Sequence, residues 1–121
     1  MYRKPEAPER SEVAALTLDE EGNILDCNFA AEALFGYEST ELLSRHISLL
    51  FPQFEESSLL DGGKLNPKIS FMCHCGRLFR VRDRRSRPLV GELHIVELGN
   101  SGMRTFRIIV PVESVMPEIA S

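Results

Sequence analysis

Tryptophan is missing from this 121-residue chain, and its aromatic content of seven phenylalanines and two tyrosines comes to only 7%. A pocket or core must then be built from phenylalanine and aliphatic side chains. Cysteine is scarce as well. Three residues, an odd number with a single residue between Cys73 and Cys75, do not make a secreted disulfide framework. No apolar run approaches the ~20 residues of a membrane span, and the N-terminal MYRKPEAPER lacks the apolar centre of a signal peptide. The expected location is therefore cytoplasmic, with no membrane partner. No nucleophile elbow, phosphate-binding glycine loop, paired-carboxylate constellation or metal-water motif occurs, so the chain is not expected to be an enzyme.

What is present is the composition of one ordinary globular domain, 43% hydrophobic and 26% charged. The formal charge of −4 conceals an asymmetry, because Arg77, Arg80, Arg82, Arg84, Arg85 and Arg87 crowd one short stretch. Released counterions could favour a polyanion there, but no interleaved aromatics or recognition helix accompany the arginines, so no nucleic-acid partner is expected. The stretch lies between two strand-like runs and reads as a solvated hairpin tip. Cys73-His74-Cys75 suggests chemistry, yet adjacent residues diverge on a strand or a helix, and one metal ion could not collect all three. A haem iron needs only one axial histidine, which leaves His74 as a candidate ligand. Redox pairing of Cys73 with Cys75 would close a strained ring.

The stretch from Leu16 to Tyr37 organises the rest. Leu16 and Leu18 alternate with Thr17 and Asp19 as in a half-buried strand, and Asp19 to Asn23 is turn chemistry. Ile24 to Cys27 runs back as a second strand of a hairpin. Asn28 is placed to cap a helix over Phe29–Phe35, which Gly36 ends in a left-handed conformation. Ser39 or Thr40 can cap a second helix that holds Glu41, Leu42, Leu43 and Arg45. His46 reads as a helix-terminal histidine near carbonyl groups rather than a ligand.

Leu18, Asp19, Gly22, Ile24, Asn28, Ala30, Leu34, Gly36, Tyr37, Glu41 and Leu42 together resemble the N-terminal half of a PAS domain in order and spacing. The resemblance weakens after Pro52 and returns from Leu78. It implies an α+β fold, a five-stranded antiparallel sheet with short helices packed on one face, over residues 13–112, with a flanking segment at 1–12 and a tail at 113–121. It also implies a pocket between sheet and helices. Ile24, Asn28, Phe35, Leu42, Phe71, His74, Phe79, Val81, Leu93, Ile95, Ile108 and Val110 are the residues expected to line it and to hold any cofactor, whose identity the sequence does not name. The family's long helical wall is expected here as two pieces, because Gly62, Gly63 and Pro67 interrupt it, with the second piece near Lys68 to Cys75. The photochemical cysteine motif of the flavin-binding subfamily is absent.

Alternation supports the same sheet from the residues alone. Phe79 and Val81, then Leu89, Gly91, Leu93 and Ile95, then Phe106, Ile108, Val110 and Val112 mark three strands of a meander joined by two turns, the second at Gly99 to Gly102. The opposite face would carry Val90, Val96, Leu98 and Ile109 with His94 and Arg107, an apolar stripe that is costly to leave in water. A second copy of the domain, the N-terminal segment or an effector could cover it, and a homodimer through the sheet is the first expectation. The family's Asp-x-Thr exit into an output helix is absent, and Pro111 and Pro117 oppose such a helix. That leaves either a fragment cut before its effector or a stand-alone module.

Two functions remain. The chain is a sensor that binds a small ligand in its core and transmits the change through the sheet, or it is a ligand-free dimerisation and protein-interaction module whose interior is filled by Phe35, Phe54, Phe71, Phe79 and Phe106.

Overall fold

The first hairpin closes where the sequence predicts. A computed structural model describes residues 12–100 and 103–118; the expected flanking segment through residue 11, residues 101–102 of the expected second turn and residues 119–121 of the expected tail lie outside them. Strand β1 (Val13–Leu18) pairs antiparallel with β2 (Ile24–Cys27), with a bulge between Thr17 and Leu18. Asp19 Oδ1 accepts from the backbone N–H groups of Glu21 and Asn23, each at 2.9 Å, and Gly22 takes φ +90°. A side chain at Gly22 would also collide with His46, whose Nε2 lies 2.9 Å from where a Cβ would sit. His46 is a clasp: its Nδ1 accepts from Ser48 N–H at 3.1 Å while Nε2 donates to the Glu21 carbonyl at 3.0 Å.

Helix α1 (Phe29–Phe35) starts at Asn28 and ends at Gly36, φ +80°, as its capping chemistry requires. Helix α2 (Ser39–Leu42) is capped by Glu38, one residue ahead of the predicted serine or threonine, and Glu41 accepts from the Glu38 N–H at 2.9 Å. A 3-10 turn (Ile47–Leu49) and the one-turn helix α3 (Gln53–Glu56) follow.

The helical wall is split in a way the glycines alone did not reveal. Gly62 and Gly63, at φ +65° and +82°, close a small hairpin of β3 (Leu60–Asp61) and β4 (Lys64–Leu65). Pro67 then opens α4 (Pro67–His74), its missing N–H falling where a helix leaves donors free. Strands β5 (Phe79–Arg82), β6 (Pro88–Gly91), β7 (His94–Asn100) and β8 (Met103–Pro111) complete the chain's antiparallel pairing.

The predicted strand from Leu89 to Val96 is broken at Glu92–Leu93. Its halves join different sheets: β7 ends the order β2-β1-β8-β7, and β6 is central in β5-β6-β9. Here β9 (Met116–Pro117) belongs to the segment read from sequence as a tail. A 3-10 turn (Val112–Ser114) interrupts the neighbouring strand at the same level. Carried forward from His94 opposite Ile109, the register would set Val90 opposite Glu113; instead Val90 faces Met116, displaced by the length of that turn. Gly91 makes room for it, since a Cβ there would lie 2.9 Å from Val115 Cγ2. Alternation survives the break. Leu89, Gly91 and Leu93 all face inward, while Glu92 and His94 face water.

Candidate functional site

Four phenylalanines from four parts of the chain meet between the sheet and the helices. Phe35 at the end of α1 meets Phe51 edge-on at 5.9 Å between ring centroids, Phe51 meets Phe54 of α3 and Phe79 of β5 edge-on, and Phe54 stacks on Phe79 at 6.5 Å. Such geometries suit the ring quadrupole and add to the burial itself. Ile24, Leu42, Val81, Leu93, Ile108 and Val110 are buried in the same cluster, and Ile95 packs against it half-buried. Nine of the predicted pocket residues are thus brought together around a contiguous packed interior.

Three are placed elsewhere. Asn28 is structural: its Oδ1 accepts from Ala31 N–H at 2.9 Å and Ala15 N–H at 3.0 Å, and its Nδ2 donates to the Val13 carbonyl at 3.1 Å. It caps α1 and fastens that cap to β1. Phe71 is 57% exposed, because α4 turns only Ile69 fully inward. His74 is exposed at the end of α4, its Nδ1 donating to the Ser70 carbonyl at 2.9 Å, and it is not part of the packed interior. Phe51, not in the predicted set, touches three of the other rings. The Ile47-Ser48-Leu49-Leu50-Phe51 run before Pro52 carried its apolar signal.

On the other side of the sheet the side chains alternate outward. Val96 and Leu98 of β7 are 46% and 39% exposed, Val13 is exposed at the start of β1, and Ile109 is half-buried; Val90, expected on the same stripe, is half-buried on β6 in the other sheet. One row across this face reads Asp26, Thr17, Arg107, Val96 from β2 to β7.

Residues 12–112 match the family profile described as a PAS domain. The chain belongs to the PAS domain family. No curated protein matches. Among solved structures, the chain is similar to a PAS domain from a two-component sensor histidine kinase, at 19% identity and TM-score 0.62 over 81% of this chain and 82% of that one. It is similar also to the PAS domain of an HTR-like protein from Haloarcula marismortui, 21% identical with a TM-score of 0.60 over 84% and 87% of the two chains. The PAS domain of nitrogen regulation protein NR(II) from Vibrio parahaemolyticus is 21% identical over 81% and 86%, TM-score 0.52. At these identities the likeness is one of fold.

In this PAS domain the arginine-rich turn joins β5 to β6 as the expected hairpin tip, with Arg84 to Arg87 exposed, and it is internally organised as well. Asp83, 4% exposed, accepts from the N–H groups of Arg85 and Arg87 at 3.1 Å and from Arg87 Nε and Nη2 at 2.8 and 2.6 Å. Burial pushes its carboxyl up, but the Arg87 side chain and the two backbone donors outweigh that and hold it below the ordinary aspartate value. Arg84 docks the turn on the helices: its N–H donates to the Phe35 carbonyl, its guanidinium grips both oxygens of Glu41 at 2.8 and 2.9 Å, and it lies over the Tyr37 ring. At the far edge Arg104 pairs with Glu97 at 2.7 Å and donates to the Gly63 carbonyl at 2.9 Å, tying the β3–β4 hairpin to β8.

Among the described residues no group of three or more His, Cys, Asp or Glu side chains could hold a metal ion, and no helix is long and apolar enough to cross a membrane. Burial pushes the Cys73 thiol up to about 11, so it is almost entirely protonated at neutral pH.

Proposed function

We propose that this PAS domain is a sensory signalling module that works by association, its outer sheet face receiving a second copy of the chain and through it an effector. The observation that carries this reading is the exposed apolar stripe of Val13, Val96 and Leu98 around half-buried Ile109. At ~25 cal/mol per Å² such a face favours a covered state. The stacked interior supports the ligand-free form of the reading: Phe35, Phe51, Phe54 and Phe79 already occupy the centre to which a pocket would be assigned. Two similar structures, PAS domains of a sensor histidine kinase and of a nitrogen regulation protein, agree with a place in signalling. A cytoplasmic site of action fits such a role.

Sedimentation and native mass spectrometry test it. The wild type should be a dimer, and Ile109→Glu a folded monomer; a wild-type monomer, or an unchanged dimer in the variant, refutes the reading. A stable extra mass on the purified chain would return the weight to a ligand held among Ile24, Phe35, Leu42, Phe79, Leu93 and Ile108.

A further inference from the structure

Arg107 lies mid-face on β8, between Thr17 of β1 and Val96 of β7. Its Nε is buried yet has no hydrogen-bond partner, and an unpaired buried donor of a charged group is costly. Beside it a groove of about 100 Å³ is lined by Ala15, Thr17, Asp26, Cys27, Asn28 and Arg107. Asp26 is the acidic residue of that lining. One of its oxygens accepts from its neighbour Cys27 N–H. Neighbouring strands lie ~4.8 Å apart, so Asp26 and Arg107, separated by β1, stand roughly 10 Å apart at the backbone. No ion pair joins them within the chain among the described residues.

A positive and a negative group on the same apolar face, with small residues between them, make that face self-complementary, as a two-fold interface demands. A two-fold axis along the β1–β8 seam sets each β1 over the second copy's β8 and each β2 over its β7. Ala15 then faces Ile109, Thr17 faces Arg107, and Asp26 faces Val96, one strand from the opposing Arg107. The groove receives the arginine. We infer that Arg107 and Asp26 form reciprocal ion pairs between two copies of this chain, an inference that rests on the association reading above. The apolar residues supply the area and the two pairs fix the register, because a slipped arrangement leaves both charges unpaired and an inverted one sets like charge against like.

Sedimentation velocity on the full chain, with circular dichroism as the folding check, reads this directly. Arg107→Asp and Asp26→Arg should each raise the dimer dissociation constant by about 30-fold, within the range that close interfacial charge pairs show. The double variant should return to within about threefold of wild type, since the reversed pair is attractive again. Should Arg107→Asp not fold, Arg107→Gln keeps the aliphatic stem and reads the same loss of charge. Single variants that dimerise like wild type, or a double variant no better than the singles, overturn the ion pairs. Ile109→Glu separates the levels: if it dissociates the dimer while the charge variants do not, the face stands and the pairing falls; if all three leave the dimer intact, the face itself is wrong.

Discussion

Removing the Asp83 carboxylate should cost more stability than removing any exposed carboxylate of this domain, and the cost should fade in acid. The side chain sits at the base of the β5–β6 turn with two backbone and two guanidinium donors on it. Each backbone bond contributes about 1 kcal/mol. The Arg87 pair adds about 1 to 2 kcal/mol, discounted because Arg87 is 57% exposed. Asp83→Ala, which strands both N–H groups, should therefore lose about 3 kcal/mol. Asp83→Asn keeps an acceptor for the backbone and forfeits the charge, and should lose about 1 to 2 kcal/mol. Because the folded carboxyl titrates below its ordinary value, its contribution is complete above the unfolded pKa of about 3.9 and is lost as pH falls through the lower folded value. Urea titrations followed by far-UV circular dichroism at pH 7 and near pH 3 measure this without tryptophan. Equal midpoints for wild type and Asp83→Asn at pH 7, or a gap that does not narrow in acid, would refute the reasoning.

The interior and the cysteines can be tested in the same protein. Phe35→Ala should lose about 3 to 5 kcal/mol by opening a cavity under Phe51, whereas His74→Ala should stay within about 0.5 kcal/mol of wild type; both are read from urea midpoints. Gly91→Ala should cost about 1 to 3 kcal/mol by driving a Cβ against stiff Val115, and hydrogen exchange should show lost protection at Glu118, whose N–H donates to the Pro88 carbonyl. Alkylation near pH 7.5 followed by peptide mass spectrometry should find exposed Cys75 modified first and Cys73 last, since burial keeps the Cys73 thiol protonated until far higher pH.

Period-two alternation made the inner face legible from sequence, and it held through Leu89, Gly91 and Leu93 even where the strand itself parts. What alternation cannot register is a break that keeps the same residues inward. The interruption at Glu92–Leu93 comes from a turn at Val112–Ser114 on the neighbouring strand, far away in the chain, and Gly91 is its single local trace. Gly62-Gly63 carried two meanings, helix breaker and hairpin turn, and only the pairing of Leu60 with Leu65 decides for the second. The orientation of α4 was illegible for another reason. Ile69, Phe71, Met72 and Cys73 are all apolar, so the helix has no clear polar face, and packing on the core selects Ile69 while leaving Phe71 in water. His74 follows Phe71 outward on the same short helix. Asp83 escaped notice because a run of arginines dominated its surroundings, although an aspartate two and four residues before arginines in a turn is placed to accept their N–H groups.

The two faces of the sheet divide the domain's work. Inward, side chains from the two larger sheets and four helices close on one another, and the groups that fasten the closure are specific: Asn28 on β1, His46 on the first turn, Arg84 on Glu41, Arg104 on Gly63. Each joins segments distant in sequence, so a displacement of the β3–β4 hairpin or of the arginine turn is carried to β8 or to α1 through a named contact rather than dissipated in a loop. Outward, exposed apolar residues and an arginine with an unpaired Nε lie on β7 and β8, and Arg104 sits on β8 three residues from Arg107. A change in the hairpin's hold on Arg104 would therefore act on the strand that carries the proposed association face. In this architecture signal and partner would meet along a single strand, with the filled core serving as the stiff body that keeps the two ends of that strand in register.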